Sequence, residues 1–149
     1  MEIRTVGVIG AGQMGNGIAH VFALAGYDVV LNDVSAEALD KAVATIERNM
    51  GRQAAKGKIA ETDMAAALGR IRPATEVAAL APCDLIVESA TEREEVKRKI
   101  FEGVIPHLSK EALLATNTSS ISITRLASAT DRPEKFMGLH FMNPAPLMP

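Results

Sequence analysis

The chain has 149 residues, 48% of them apolar and 23% charged, with a formal net charge of −2; that length suits one domain whose core needs no disulfide or metal staple. Aromatics are scarce at 3%, with no Trp, and no basic excess exists, which argues against a stacking platform for single strands, a nucleic-acid partner and a membrane surface. The single cysteine, Cys83, allows neither an internal disulfide nor a Cys-rich zinc site; no metal is expected, and a reducing, cytoplasmic setting fits. No apolar run reaches the roughly 18 residues that a spanning helix needs.

Thr5 to Ile9 predicts a short buried strand, with Val6, Val8 and Ile9 apolar. A glycine-rich turn follows at Gly10, Gly12 and Gly15. From Met14 to Ala25 the apolar residues Met14, Ile18, Val21, Phe22 and Ala25 recur at helical spacing, and Gly26 reads as a stop. Val29 to Leu31 predicts a second strand ending at Asn32-Asp33, and Ser35 an N-cap for a long helix through Ile46 and Met50. Arg52 to Leu68 is helical in composition but interrupted by Gly51 and Gly57, which predicts a helix–turn–helix excursion. Further strands are expected at Ile71 to Pro73, Asp84 to Val87, Ala112 to Ala115 and Phe136 to Leu139. Helices are expected at Arg93 to Ile105, ended by Pro106, and at Ile123 to Ala129. Alternating strands and helices imply a parallel sheet covered on both faces, an α/β doubly wound dinucleotide fold with a helical excursion after its second βα unit.

The sharpest local motif is Gly10-Ala11-Gly12-Gln13-Met14-Gly15. It follows a strand and opens a helix, the context in which G-x-G-x-x-G binds a dinucleotide. Gly10 permits the tight turn, Gly12 leaves room for the pyrophosphate, and Gly15 lets helix and strand approach. The helix N-terminus offers free N–H groups to the phosphates. Asp33 comes 18 residues after Gly15 by their numbers, where a carboxylate meets the adenosine ribose. With Val34 and Ser35 next and no adjacent Arg, NAD is expected over NADP; the competing reading makes Asp33 a helix cap.

After the strand at Asp84 to Val87 comes Glu88-Ser-Ala-Thr-Glu92, with Lys97 beyond. The carboxyl ends of the strands are the ligand side of an open α/β sheet, which puts Glu92 and Lys97 near a cofactor. By spacing alone they equally suit a solvated helix start. Thr116-Asn117-Thr118-Ser119-Ser120 has the hydroxyls and amide that can bond a ligand, and that also make turns and caps. His140, in Gly138-Leu-His140-Phe-Met-Asn143-Pro144, stands just past the last strand. An imidazole there can take a hydroxyl proton as hydride leaves the same carbon. His20, inside the first helix, and His107, at the far end of a surface helix, fit that role less well.

Four segments, Gly10 to Ile18, Val87 to Glu92, Thr116 to Ser120 and Gly138 to Pro144, resemble in order the L-3-hydroxyacyl-CoA dehydrogenase family, of the 3-hydroxybutyryl-CoA dehydrogenase type. The resemblance spans all 149 residues. It implies NAD-dependent oxidation of an L-3-hydroxyacyl-CoA to the 3-ketoacyl-CoA in fatty-acid or short-chain acyl-CoA metabolism. His140 is then the catalytic base, and Ser119 bonds the reacting oxygen, approaches the nicotinamide and touches the substrate. Gly10, Ala11, Gly12, Gln13, Met14, Gly15, Asp33, Glu92, Lys97, Asn117, Ser119 and Asn143 become the cofactor contacts. Lys56, in the helical excursion, matches a position that meets CoA phosphates. Asn49 stands where many relatives carry Ser, which weakens the CoA role it would otherwise inherit. The family has a second, all-helical domain that completes the acyl site and forms a homodimer, and a Glu after the histidine motif that orients the imidazole. Residues 1–149 would be the NAD-binding domain alone, ending at Pro149 before both and expected to be inactive by itself. Two other readings stay open: a related dehydrogenase acting on a sugar acid or other 3-hydroxy acid, and an NAD-binding module without catalysis.

Overall fold

The computed structural model describes residues 2–117, 123–128 and 130–139. Its six strands are β1 (Thr5–Ile9), β2 (Asp28–Asn32), β3 (Ile71–Ala74), β4 (Leu85–Glu88), β5 (Leu113–Asn117) and β6 (Phe136–Leu139). They form one sheet in the order β3-β2-β1-β4-β5-β6, and every neighbouring pair is parallel. The order reverses between β1 and β4, the topological switch point at which such sheets bind their ligand.

Alternation along the strands divides the core between two faces. Val6 and Val8 of β1, with Val29 and Leu31 of β2, point to one side. There they meet α1 (Gln13–Leu24), α2 (Ala36–Ala55) and α3 (Glu61–Arg70) through Ile18, Leu39, Ile46, Met50 and Ala67. Ile9, Val30, Ile86 and Leu114 point to the other side, against Leu80, Cys83, and Phe101 and Val104 of α4 (Glu94–Val104). Cys83 is buried, and that burial, helped by the charge of Asp84, pushes its thiol up to about 12. Such a thiol is a small apolar filler rather than a nucleophile. α5 (Ile123–Ser128) packs beside β6.

The expected elements are present, with bounds shifted by a residue or two in β2, β4, β5, α1 and α4, so that Glu88 and Thr116-Asn117 close their strands rather than follow them, and with one larger change in α2. Gly51 does not interrupt α2, which runs 20 residues to Ala55. Buried Ile46 and Met50 hold it against the sheet, and a glycine in a helix costs only about 1 kcal/mol. The break comes at Gly57, whose φ of 74° lies in the left-handed region. Ser35 caps α2 as expected: its Oγ accepts from the Ala38 N–H at 3.1 Å.

Candidate functional site

The site is built from the carboxyl ends of β1, β2, β4 and β5. Gly10 turns the chain out of β1 with φ at 100°, where a side chain is strained. A Cβ on Gly15 would stand 1.7 Å from the Gly10 carbonyl oxygen, so the turn closes on α1 only if residue 15 is glycine. At Gly12 a Cβ would meet nothing within 4 Å, so internal packing does not require glycine there and the space beside the turn is open. Gly12 is also the N-cap of α1 and makes no side-chain cap, so the first-turn N–H groups are available to an anion. Gln13 is exposed, Met14 half-buried and Ala11 buried.

Asp33 follows β2 and locks this turn. Its Oδ2 accepts from the Ala11 N–H at 2.9 Å, and its Oδ1 from the Ser35 N–H at 2.9 Å. The helix cap is therefore Ser35, and the Asp33 carboxylate belongs to the glycine turn. Beside it lies a cleft of about 270 Å³ lined by Gly10, Asp33, Val34, Ala90, Ile100 and Val104 among others. Val34 is 91% exposed at its rim. This slot, largely apolar with the Asp33 carboxylate and Lys99 in its lining, suits a flat ring system attached to a hydroxyl-bearing sugar.

Beyond the switch point, the edge between β4 and β5 has a different composition. Glu88, the last residue of β4, and Lys97 of α4 form an ion pair in which both side chains are fully buried. Thr116 Oγ1 donates to the same Glu88 oxygen at 2.7 Å, and the Ala90 N–H donates to the other at 2.7 Å. Lys97 Nζ also lies 3.5 Å from the Asn117 carbonyl at the end of β5. Ser89 stitches the two halves together, its Oγ donating to the Ile9 carbonyl at 3.1 Å.

The geometry thus gathers Gly10 to Gly15, Asp33, Lys97 and Asn117 on one edge. Lys97 is not part of a solvated helix start, because Glu88 draws it inside; Glu92 is exposed. Asn49 is half-buried near the end of α2 and Lys56 is exposed at its C-cap. Neither side chain bonds to the edge cluster among the described residues. Ser119, His140 and Asn143 lie outside the described residues. Reading the sequence missed Glu88 and Thr116 as members of the site. The available signal was a carboxylate closing the otherwise apolar run Leu85-Ile-Val-Glu88, since a charge at the end of a buried strand requires a partner.

A six-stranded parallel sheet with a glycine turn, a carboxylate after β2 and an open helix N-terminus at the switch point defines a dinucleotide-binding domain. Residues 5–149 match the family model for the 3-hydroxyacyl-CoA dehydrogenase NAD binding domain, and the chain belongs to that family. It is 62% identical over 98% of its length to a 3-hydroxybutyryl-CoA dehydrogenase of Bradyrhizobium diazoefficiens, covering 50% of that protein. It is 45% identical over 99% of its length to a 3-hydroxyadipyl-CoA dehydrogenase of Escherichia coli, covering 31% of it. The crystal structure of (S)-3-hydroxybutyryl-CoA dehydrogenase from Ralstonia eutropha superposes with a TM-score of 0.95 at 45% identity, over 99% of this chain and 52% of that one. The chain therefore spans about half or less of the length of these relatives.

Proposed function

We propose that this chain is the cofactor half of an enzyme that oxidises an L-3-hydroxyacyl-CoA, such as 3-hydroxybutyryl-CoA, to the 3-ketoacyl-CoA. The observation that carries the reading is the gathering of the glycine turn, Asp33 and the ends of β4 and β5 on one sheet edge, with β6 beside β5. The segments holding Ser119 and His140 continue directly from β5 and β6 in the chain. Bound NAD supplies the acceptor for the hydride leaving C3. The chain's own part is to hold the phosphates on the first turn of α1 and the adenosine ribose on Asp33. Glu92, Asn117 and Asn143 contact the nicotinamide half, and Lys97, fully buried against Glu88, supports that edge from beneath through the Asn117 carbonyl. Ser119 bonds the reacting oxygen, and His140 takes the hydroxyl proton at its imidazole. Asn49 and Lys56 meet the CoA. Relatives named for 3-hydroxybutyryl-CoA and for 3-hydroxyadipyl-CoA share this half, so the acyl group is read outside it, in a helical domain that also forms a homodimer. The setting is cytoplasmic.

The test is NADH oxidation with acetoacetyl-CoA, by this chain and by this chain fused to the helical half of a 3-hydroxybutyryl-CoA dehydrogenase. NADH binding without turnover is expected of the first, and turnover of the second. In the fusion, His140→Gln should lower kcat by about 10²–10⁴ with NADH affinity kept. A silent fusion that still binds NADH, or an unaffected His140→Gln, would overturn the assignment.

A further inference from the structure

The Glu88–Lys97 pair does something the rest of the edge does not: it places two opposite charges, both fully buried, at the ends of the strands. Burying such a pair is expensive, and an apolar pair of equal volume is often as stable or more so. Stability alone therefore gives no reason for it. In a doubly wound sheet the dinucleotide crosses the switch point with its pyrophosphate at the β1–α1 turn. The adenosine half lies toward β2, where Asp33 stands, and the nicotinamide half toward β4 and β5. The buried pair is on that second side. Its cation reaches the Asn117 carbonyl at the strand end, and its anion holds Thr116 of β5 and the Ala90 N–H of the β4–α4 loop.

The nicotinamide ring carries a positive charge when oxidised and none when reduced. An uncompensated ammonium at this edge would repel the oxidised ring and spare the reduced one. Glu88 cancels that charge while leaving Lys97 N–H donors in place. We propose that Glu88 is the charge-balancing residue of the nicotinamide half, setting the relative affinity for NAD+ and NADH by neutralising Lys97. The role rests on the family's use of NAD and on the direction the dinucleotide takes across the sheet, and it is a positioning and electrostatic role, since Glu88 itself is covered.

The experiment is titration of this chain with NAD+ and with NADH, at about pH 6 so that a Lys97 deprived of its partner keeps its proton. Glu88→Gln should raise the ratio of the NAD+ to the NADH dissociation constant by about five- to thirty-fold, the Coulomb effect of one charge at roughly 8–15 Å with an effective dielectric near 20. Lys97→Met, titrated instead at about pH 9 so that Glu88 without its partner keeps its charge, leaves the anion uncompensated and should move the ratio the other way. The double variant, with both charges gone, should return it to within about twofold of the starting value. A purely structural pair would weaken both cofactors equally; a ratio unmoved in the folded single variants overturns the proposal. If Glu88→Gln fails to fold, Lys97→Met and the double variant carry the same test. If the unaltered chain binds neither cofactor, the cofactor reading itself falls, a result distinct from an unmoved ratio.

Discussion

The carboxyl edge has two halves held by different physics. At β1 and β2 the contacts end on backbone: Gly15 against the Gly10 carbonyl, Asp33 against the Ala11 and Ser35 N–H groups, Ser89 Oγ on the Ile9 carbonyl and the Asn32 amide on the Ala74 carbonyl. Nothing there is both charged and fully buried. At β4 and β5 the edge is organised around a buried ion pair whose carboxylate has three donors from three segments. The first half is shaped by omitted atoms, the second by placed charges. The two should therefore fail differently when altered: one through geometry and binding, the other through folding and charge.

The largest effect is expected at Gly15. Gly15→Ala puts a methyl group 1.7 Å from a carbonyl oxygen that cannot swing away, so the turn must open. Loss of about two charge-assisted hydrogen bonds to the phosphates, worth roughly 1.5–3 kcal/mol each, lowers NADH affinity by about 100-fold or more. Calorimetric titration checks this, and wild-type affinity would show that the turn does not clasp the pyrophosphate.

Glu88→Ala sharpens the contrast from the other side. It strands a buried ammonium, which costs about 3–5 kcal/mol, read as a fall in Tm of about 10 °C at roughly 2–4 °C per kcal/mol. A thermal melt that moves by less than about 3 °C would mean that water reaches Lys97 and that the pair is not the organising element of its half. Asp33→Ala comes next, with about 10–100-fold weaker NADH binding for one lost charge-assisted bond. Its distinctive sign is selectivity: NADPH should lose less, because the carboxylate that opposed the 2′-phosphate is gone. Equal losses for the two cofactors would remove Asp33 from the ribose.

The smallest effect lies beneath the first half. His20 of α1 is buried, donates through Nε2 to Gln53 Oε1 at 2.7 Å, and has no partner for Nδ1 among the described residues. Burial holds its pKa below the ordinary imidazole value, against a smaller opposing pull from the Gln53 bond. The folded chain therefore refuses a proton that the unfolded chain accepts. The stability this confers is present above the unfolded pKa near 6.5 and is lost as pH falls through the lower folded value. Melts between about pH 7.5 and 5 should decline more steeply for the unaltered chain than for His20→Gln. Parallel curves would show that His20 does not carry the titration.

The contrast also explains what could be read before folding. The glycine turn is contiguous, and each of its residues answers a local steric demand, so Gly10, Gly12 and Gly15 stand out in one dimension. Strand and helix periods, the Ser35 cap and the carboxylate of Asp33 are local for the same reason, and with them came the fold and the β1–β2 half of the edge. Gly51 misleads because a local propensity of about 1 kcal/mol competes with burial of Ile46 and Met50 against the sheet, which is not local. The same limit hid the other half of the site. Glu88, Lys97 and Thr116 are separated by 9 and 28 positions along the chain, and as isolated residues each reads as a strand end, a solvated helix and a turn former. Only closure of the parallel sheet, with β4 between β1 and β5, brings them within bonding distance and removes their water. That burial is a property of the assembled layers, and it turns three ordinary side chains into the charged core of the β4–β5 edge.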